Sequence, residues 1–75
     1  METEVMYLII NNNGEFLEYL GEDEHGSYQE SWTYEWQLAY QYQCKFYAEV
    51  DKNNLNNNGE LSIIKMTVTF EVDRL

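Results

Sequence analysis

Cys44 and His25 are the chain's one thiol and its one imidazole, and neither stands in a pattern that chemistry uses. A nucleophilic cysteine needs basic or electropositive neighbours to hold its thiolate, and this chain is strongly acidic. His25 sits in Glu24-His25-Gly26, a polar stretch that reads as a solvated loop. Glu22 and Glu24 are close in sequence, but acid–base work needs carboxylates fixed in a pocket, and a short chain has little room for one. One Cys and one His are too few for a closed tetrahedral zinc site. Asn54, Asn56, Asn58 and Gly59 match the first half of a calcium-binding loop, but its twelfth position is Lys65, where the ion needs a bidentate Glu. We therefore expect no enzyme activity, no metal and no cofactor.

The charge is more informative. Fourteen acids face four bases across 75 residues, a formal net charge of −10. The first 44 residues hold nine acids (Glu2, Glu4, Glu15, Glu18, Glu22, Asp23, Glu24, Glu30 and Glu35) and no Lys or Arg; the bases are Lys45, Lys52, Lys65 and Arg74. Such a chain repels nucleic acid and anionic lipid, so neither direct nucleic-acid binding nor a membrane surface is expected. A steered partner should be basic. The plainer reading is that the acids only keep a small protein soluble. Aromatics form a second cluster: Tyr28, Trp32, Tyr34, Trp36, Tyr40, Tyr42, Phe46 and Tyr47. Interleaved bases would suggest single-strand stacking, but apart from Lys45 the interleaved polar residues are chiefly Glu, Gln and Ser. Part of the cluster must fill a core; a surplus of Tyr and Trp on the surface would anchor a protein partner.

The elements that position these residues follow from pattern. Glu4–Ile10 reads as a strand, with Val5, Tyr7 and Ile9 on one face and Met6, Leu8 and Ile10 on the other. The Asn13-Gly14 turn and a second strand, Phe16–Leu20, complete a hairpin. Gly21–Ser31 is polar and reads as an exposed loop. Leu61–Val72 alternates most cleanly: Ile64, Met66, Val68, Phe70 and Val72 on a core face, Lys65, Thr67, Thr69 and Glu71 on a wet one. The turn sequence Asn11-Asn12-Asn13-Gly14-Glu15 recurs at Asn56-Asn57-Asn58-Gly59-Glu60, which reads as repeated turn chemistry and not a duplicated domain. Between Trp32 and Asn54 two readings compete. Trp32, Tyr34, Trp36, Leu38, Tyr40 and Tyr42, large and mostly aromatic, alternate with Thr33, Glu35, Gln37, Ala39, Gln41 and Gln43 as a strand would. Thr33 as an N-cap, Glu35 in the first turn, and Leu38, Ala39, Tyr42 and Phe46 on one face fit a helix.

Tyr7-Leu8-Ile9-Ile10 before Asn13-Gly14, Trp32-Thr33, Ala39, Tyr42, Ala48, and the closing Ile63-Ile64-Lys65-Met66-Thr67-Val68-Thr69 together resemble a family of short, uncharacterised proteins from phages and prophages of Gram-positive bacteria. The motifs are short but span most of the chain. The resemblance implies a helix in the Trp-Thr segment and a second short helix around Ala48. The chain departs from the pattern in its aromatic density between Trp32 and Tyr47, and in Asp51, where an apolar residue is usual. No catalytic residue is carried by the family.

The expectation is thus one α+β domain over residues 1–75. Its three-stranded antiparallel sheet would be covered by one or two short helices, with helix from about Thr33 to Gln43. Functionally it reads as a small acidic phage-type protein of the host cytoplasm. It would bind and inhibit a basic host protein that handles nucleic acid or serves defence, with its carboxylates imitating phosphates. Glu15, Glu18, Glu22, Asp23, Glu24, Glu30, Glu35, Trp32 and Trp36 are the candidate partner-binding residues. The competing reading is an accessory or structural protein that self-associates as a homo-oligomer. The lone Cys44 and the absence of an apolar leader suit a reducing cytoplasm.

Overall fold

A computed structural model describes residues 2–55 and 60–71, with Tyr28 described by its backbone alone. The elements run β1 (Glu2–Ile10), β2 (Phe16–Glu22), β3 (Tyr28–Thr33), a single 3-10 turn at Trp36–Leu38, α1 (Lys45–Asn54) and β4 (Ser62–Phe70). The strands form one antiparallel sheet in the order β3-β2-β1-β4. The α+β class and the first hairpin match expectation. The sheet gains a fourth strand because Gly21–Ser31 is not a loop: β2 continues to Glu22 and turns back into β3.

The two described turns share one construction. In the first, Asn11 Oδ1 accepts from the backbone N–H of Asn13 (2.9 Å) and of Glu15 (3.0 Å). Asn11 N–H also donates to the Glu15 carbonyl, and Gly14 N–H to the Asn11 carbonyl. In the second, Asp23 Oδ1 accepts from His25 N–H (2.9 Å) and Ser27 N–H (2.8 Å), with the same two backbone bonds between Asp23, Ser27 and Gly26. Gly14 and Gly26 supply the positive φ that each turn requires, +79° and +81°. The equivalent Asn56–Gly59 segment, the calcium-like loop built on it, and Val72 and Asp73 at the chain's end lie outside the described residues.

The sheet is two ribbons joined at one corner. β1 pairs with β4 along its whole length, from Glu2↔Phe70 to Ile10↔Ser62. β2 pairs with β3 from Phe16↔Thr33 to Glu22↔Tyr28, with a bulge at Glu18. Between the ribbons, β1 and β2 register only at Ile10↔Phe16. The diverging strands would leave inner backbone groups unpaired, a cost that buried chains avoid. The Tyr40–Tyr42 segment fills that wedge. Tyr40 N–H donates to the Leu17 carbonyl on β2 (2.8 Å), while Tyr42 exchanges backbone bonds with Tyr7 on β1 (2.8 and 3.0 Å). This overturns the helix expected over Thr33–Gln43. Thr33 ends β3, a single 3-10 turn follows, and Tyr40–Tyr42 stays extended because its hydrogen bonds go sideways into the sheet. The alternation over Trp32–Tyr42 does not make a strand either: after Thr33 the segment joins the sheet only through the isolated bridge of Tyr42 with Tyr7 and the Tyr40 bond to Leu17. The helix expected around Ala48 is present as α1.

Both faces of the sheet are covered. On one, Ile9, Leu17, Tyr42, Ala48 and Leu55 are buried, with Tyr7, Leu20, Trp32, Leu61 and Ile63 packed on them. On the other, Met6, Leu8 and Ala39 are buried against Phe16, Trp36, Ile64, Met66 and Val68. The bulge at Glu18 resets the alternation of β2, so Leu17 and Leu20 share a face instead of Phe16 and Leu20. Lys65, Thr67 and Thr69 are solvent-facing, as the β4 pattern requires. Phe70 departs from that pattern: expected in the core, it is 44% exposed, because it pairs with Glu2 at the end of the sheet, where no other described residue covers it.

Helix α1 is too short to be stable alone. Ala48, its one buried residue, lets the helix backbone approach the sheet. Tyr42, 5% exposed, fastens it: its hydroxyl donates to Asp51 Oδ2 at 2.5 Å. Burial, and then the hydrogen bond to and charge of Asp51, push the Tyr42 phenol well above its ordinary pKa. The exposed Lys45–Glu49 pair, 3.8 Å apart, adds little.

Candidate functional site

From Tyr19 onward β2 has β3 as its one strand partner among the described residues. The β2–β3 ribbon therefore leaves the body of the protein. The chain is correspondingly drawn out, 51 Å long against 26 and 23 Å. Its radius of gyration of 14.3 Å exceeds the roughly 11 Å of a compact domain this size.

The ribbon collects five of the candidate residues. Glu18 sits at the bulge, Glu22, Asp23 and Glu24 lie at the far turn, and Glu30 is on β3. The ribbon contains no Lys or Arg. Strand register places Glu22 and Glu30 on one face as diagonal neighbours, roughly 8 Å apart. The members differ in freedom. Glu22, Glu24 and Glu30 are exposed. Asp23 spends one carboxylate oxygen on its turn, and Glu30 accepts from Trp32 Nε1 at 3.3 Å. Tyr19 lies 55% exposed on the opposite face with its ring across Gly21, shielding backbone that has no side chain of its own.

The remaining candidates lie elsewhere. Glu15 is at the other end of β2, where its Oε1 accepts from the Asn11 amide at 3.2 Å. Glu35 follows Thr33 at that same end, its N–H donating to Thr33 Oγ1. Trp32 and Trp36 are half-buried and belong to the packing of opposite sheet faces, so they do not form one patch. Among the described residues the exposed aromatics are instead Tyr19, Tyr34, Tyr40, Phe46, Tyr47 and Phe70.

Sequence reasoning missed a pocket of about 420 Å³ between the wedge and α1, lined by Tyr40, Gln41, Tyr42, Gln43, Cys44, Tyr47 and Asp51. The Tyr40 and Tyr42 rings meet at 4.6 Å between centroids, tilted by 46°. Tyr40 and Tyr47 are half or more exposed, whereas Asp51 is half-buried. Spacing gave one clue: Tyr40 and Tyr42 fall on one side of an extended segment. That Asp51 joins them depends on α1 folding back, which no local pattern reveals.

Among the described residues no helix is long and apolar enough to cross a membrane. No family model, curated protein or solved structure matches the chain.

Proposed function

We propose that this chain is a non-catalytic binding protein that presents its carboxylate ribbon to a basic partner. The partner class is a host protein that handles nucleic acid or serves defence, met in the cytoplasm and inhibited by occupation of its nucleic-acid groove. The observation that carries this reading is the gathering of Glu18, Glu22, Asp23, Glu24 and Glu30 on a ribbon that leaves the body and bears no compensating base. A surface meant only for solubility would mix signs; one sign concentrated on a narrow arm produces a directed field. A two-stranded ribbon is also narrow enough to enter a groove that accepts a nucleic-acid strand. Direct nucleic-acid binding is not part of the reading, since a polyanion would be repelled.

The test is affinity capture from a Gram-positive bacterial lysate at low and high salt. Wild type is compared with the triple variant Glu22→Gln, Asp23→Asn, Glu24→Gln. Asn at position 23 keeps the oxygen that closes the turn, so the ribbon still folds. A basic nucleic-acid-handling protein retained by wild type at low salt, and lost in the variant, is the expected result. Equal retention by both proteins at all salt concentrations refutes the proposal.

A second reading, self-association, has one observation in its favour. The outer edge of β4 is unpaired among the described residues, and Leu61–Phe70 contains no acid, so two copies would meet there with the least repulsion. Sedimentation equilibrium separates the readings, since a monomer across micromolar concentrations removes this one.

A further inference from the structure

The pocket between the wedge and α1 has the chemistry of a cation receptor. Its walls are phenol rings, whose faces carry the negative part of the aromatic quadrupole and attract cations. Tyr40 and Tyr42, whose rings are paired, line it together with Tyr47 of α1. Asp51 supplies a formal charge at the same place. Its Oδ2 is occupied by the Tyr42 hydroxyl, which fixes the carboxylate's orientation, while its Oδ1 accepts no hydrogen bond from the described residues. Gln41 and Gln43 bring no formal charge, and no Lys or Arg is among the lining residues. An anion would be repelled by Asp51 and by the ring faces, with no cation in the lining to offset this. A purely apolar group would strand the carboxylate in a less polar setting, which costs free energy. A ligand that satisfies rings and carboxylate together is an organic cation with donors: an ammonium or a guanidinium.

We propose that this pocket receives a cationic side chain, Arg or Lys, from the protein partner, and so serves as the anchoring point of the interface that the acidic ribbon steers. This rests on the reading of a basic partner given above. It assigns the two features different roles: the long-range field of the ribbon sets the rate of encounter, and the pocket sets the lifetime of the complex. An arginine is the better fit, because its planar guanidinium stacks on a phenol face while donating to a carboxylate edge-on. The same chemistry is offered by a free quaternary amine, which can stack but cannot donate a hydrogen bond.

The test is a two-dimensional NMR titration of the full isotope-labelled chain with three capped tripeptides, Gly-Arg-Gly, Gly-Lys-Gly and Gly-Gln-Gly, and with choline. The Arg peptide should shift the amides of residues 40–44, 47 and 51 saturably, the Lys peptide more weakly, and the Gln peptide not at all. Choline should bind more weakly than the Arg peptide. Asp51→Asn, which keeps an acceptor for Tyr42, should weaken the Arg peptide about tenfold, as expected for loss of a charge-assisted bond. Tyr47→Leu, at a 64% exposed position outside the core, should weaken it severalfold without unfolding the chain. Equal shifts from the Gln peptide overturn the proposal, as do shifts confined to Glu22–Glu24 or affinity unchanged in both variants. Tightest binding by choline overturns the assignment to a partner's side chain. The triple ribbon substitution should leave the peptide titration unchanged, so pocket and ribbon fail separately.

Discussion

Tyr42→Phe removes one oxygen and tests how the wedge and the helix hold each other. The backbone bridge between Tyr42 and Tyr7 stays, as does the buried ring. What is lost is the hydroxyl's bond to Asp51 Oδ2. A hydrogen bond to a charged group contributes about 1.5–3 kcal/mol when both partners are buried. Asp51 is only half-buried, so water replaces part of the loss, and we expect a cost of about 1–2 kcal/mol. In a domain of this size that lowers Tm by roughly 4–16 °C. Thermal and urea denaturation by circular dichroism read it directly, and the double variant with Asp51→Ala isolates the pair's coupling. The pH dependence reads the same phenol, whose titration is pushed up first by burial and then by this bond. The folded-state phenol titrates above its unfolded value, so the stabilisation is fully present below about pH 10. Above that pH the unfolded state releases a proton that the folded state keeps. Stability then falls with pH, with a limiting slope of about 1.4 kcal/mol per pH unit, until the folded phenol itself titrates. Tyr42→Phe should remove that contribution. A cost below about 0.5 kcal/mol, with an unchanged alkaline slope, would refute the idea that this bond fastens α1 to the wedge.

Leu17→Ala, at a fully buried position on the first core face, should cost about 2–5 kcal/mol in urea denaturation. Phe70→Ala should cost less, about 1–2 kcal/mol, because its ring is 44% exposed, and Thr69→Ala less than about 1. Gly14→Ala and Gly26→Ala should each destabilise by about 1–2 kcal/mol through positive φ, measured by the same denaturation. The similarity of the two costs would reflect the shared turn construction.

Much of the fold is legible in residue pattern. The apolar run Tyr7 to Ile10 and the alternation from Ile64 to Val68 identify β1 and β4, and Asn13-Gly14 identifies the first turn. The second turn was equally visible. Asp23-Glu24-His25-Gly26-Ser27 has the spacing of Asn11-Asn12-Asn13-Gly14-Glu15, an Asx side chain three residues before Gly, but its run of acids reads as loop. Missing it hid β3, and with it the ribbon that draws Glu22 and Glu30 onto one face. The wedge was not legible, because the extended conformation of Tyr40–Tyr42 is fixed by carbonyl and N–H groups of β1 and β2, far away in sequence. Local propensity cannot report such a demand. The bulge at Glu18 acts in the same way, moving Leu20 to the other face without any Gly or Pro to announce it.

The ribbon's role is tested most directly by the association rate of the captured partner, measured by stopped flow across salt concentrations. Raising salt from about 20 to about 200 mM shortens the Debye length from roughly 20 Å to roughly 7 Å. Wild type should lose about tenfold or more in association rate over that range. The Glu22→Gln, Asp23→Asn, Glu24→Gln protein should associate more slowly at low salt and show a much flatter dependence, with its dissociation rate little changed. An association rate that ignores salt, or a variant that follows the wild-type curve, would contradict the ribbon as the surface that recruits the partner.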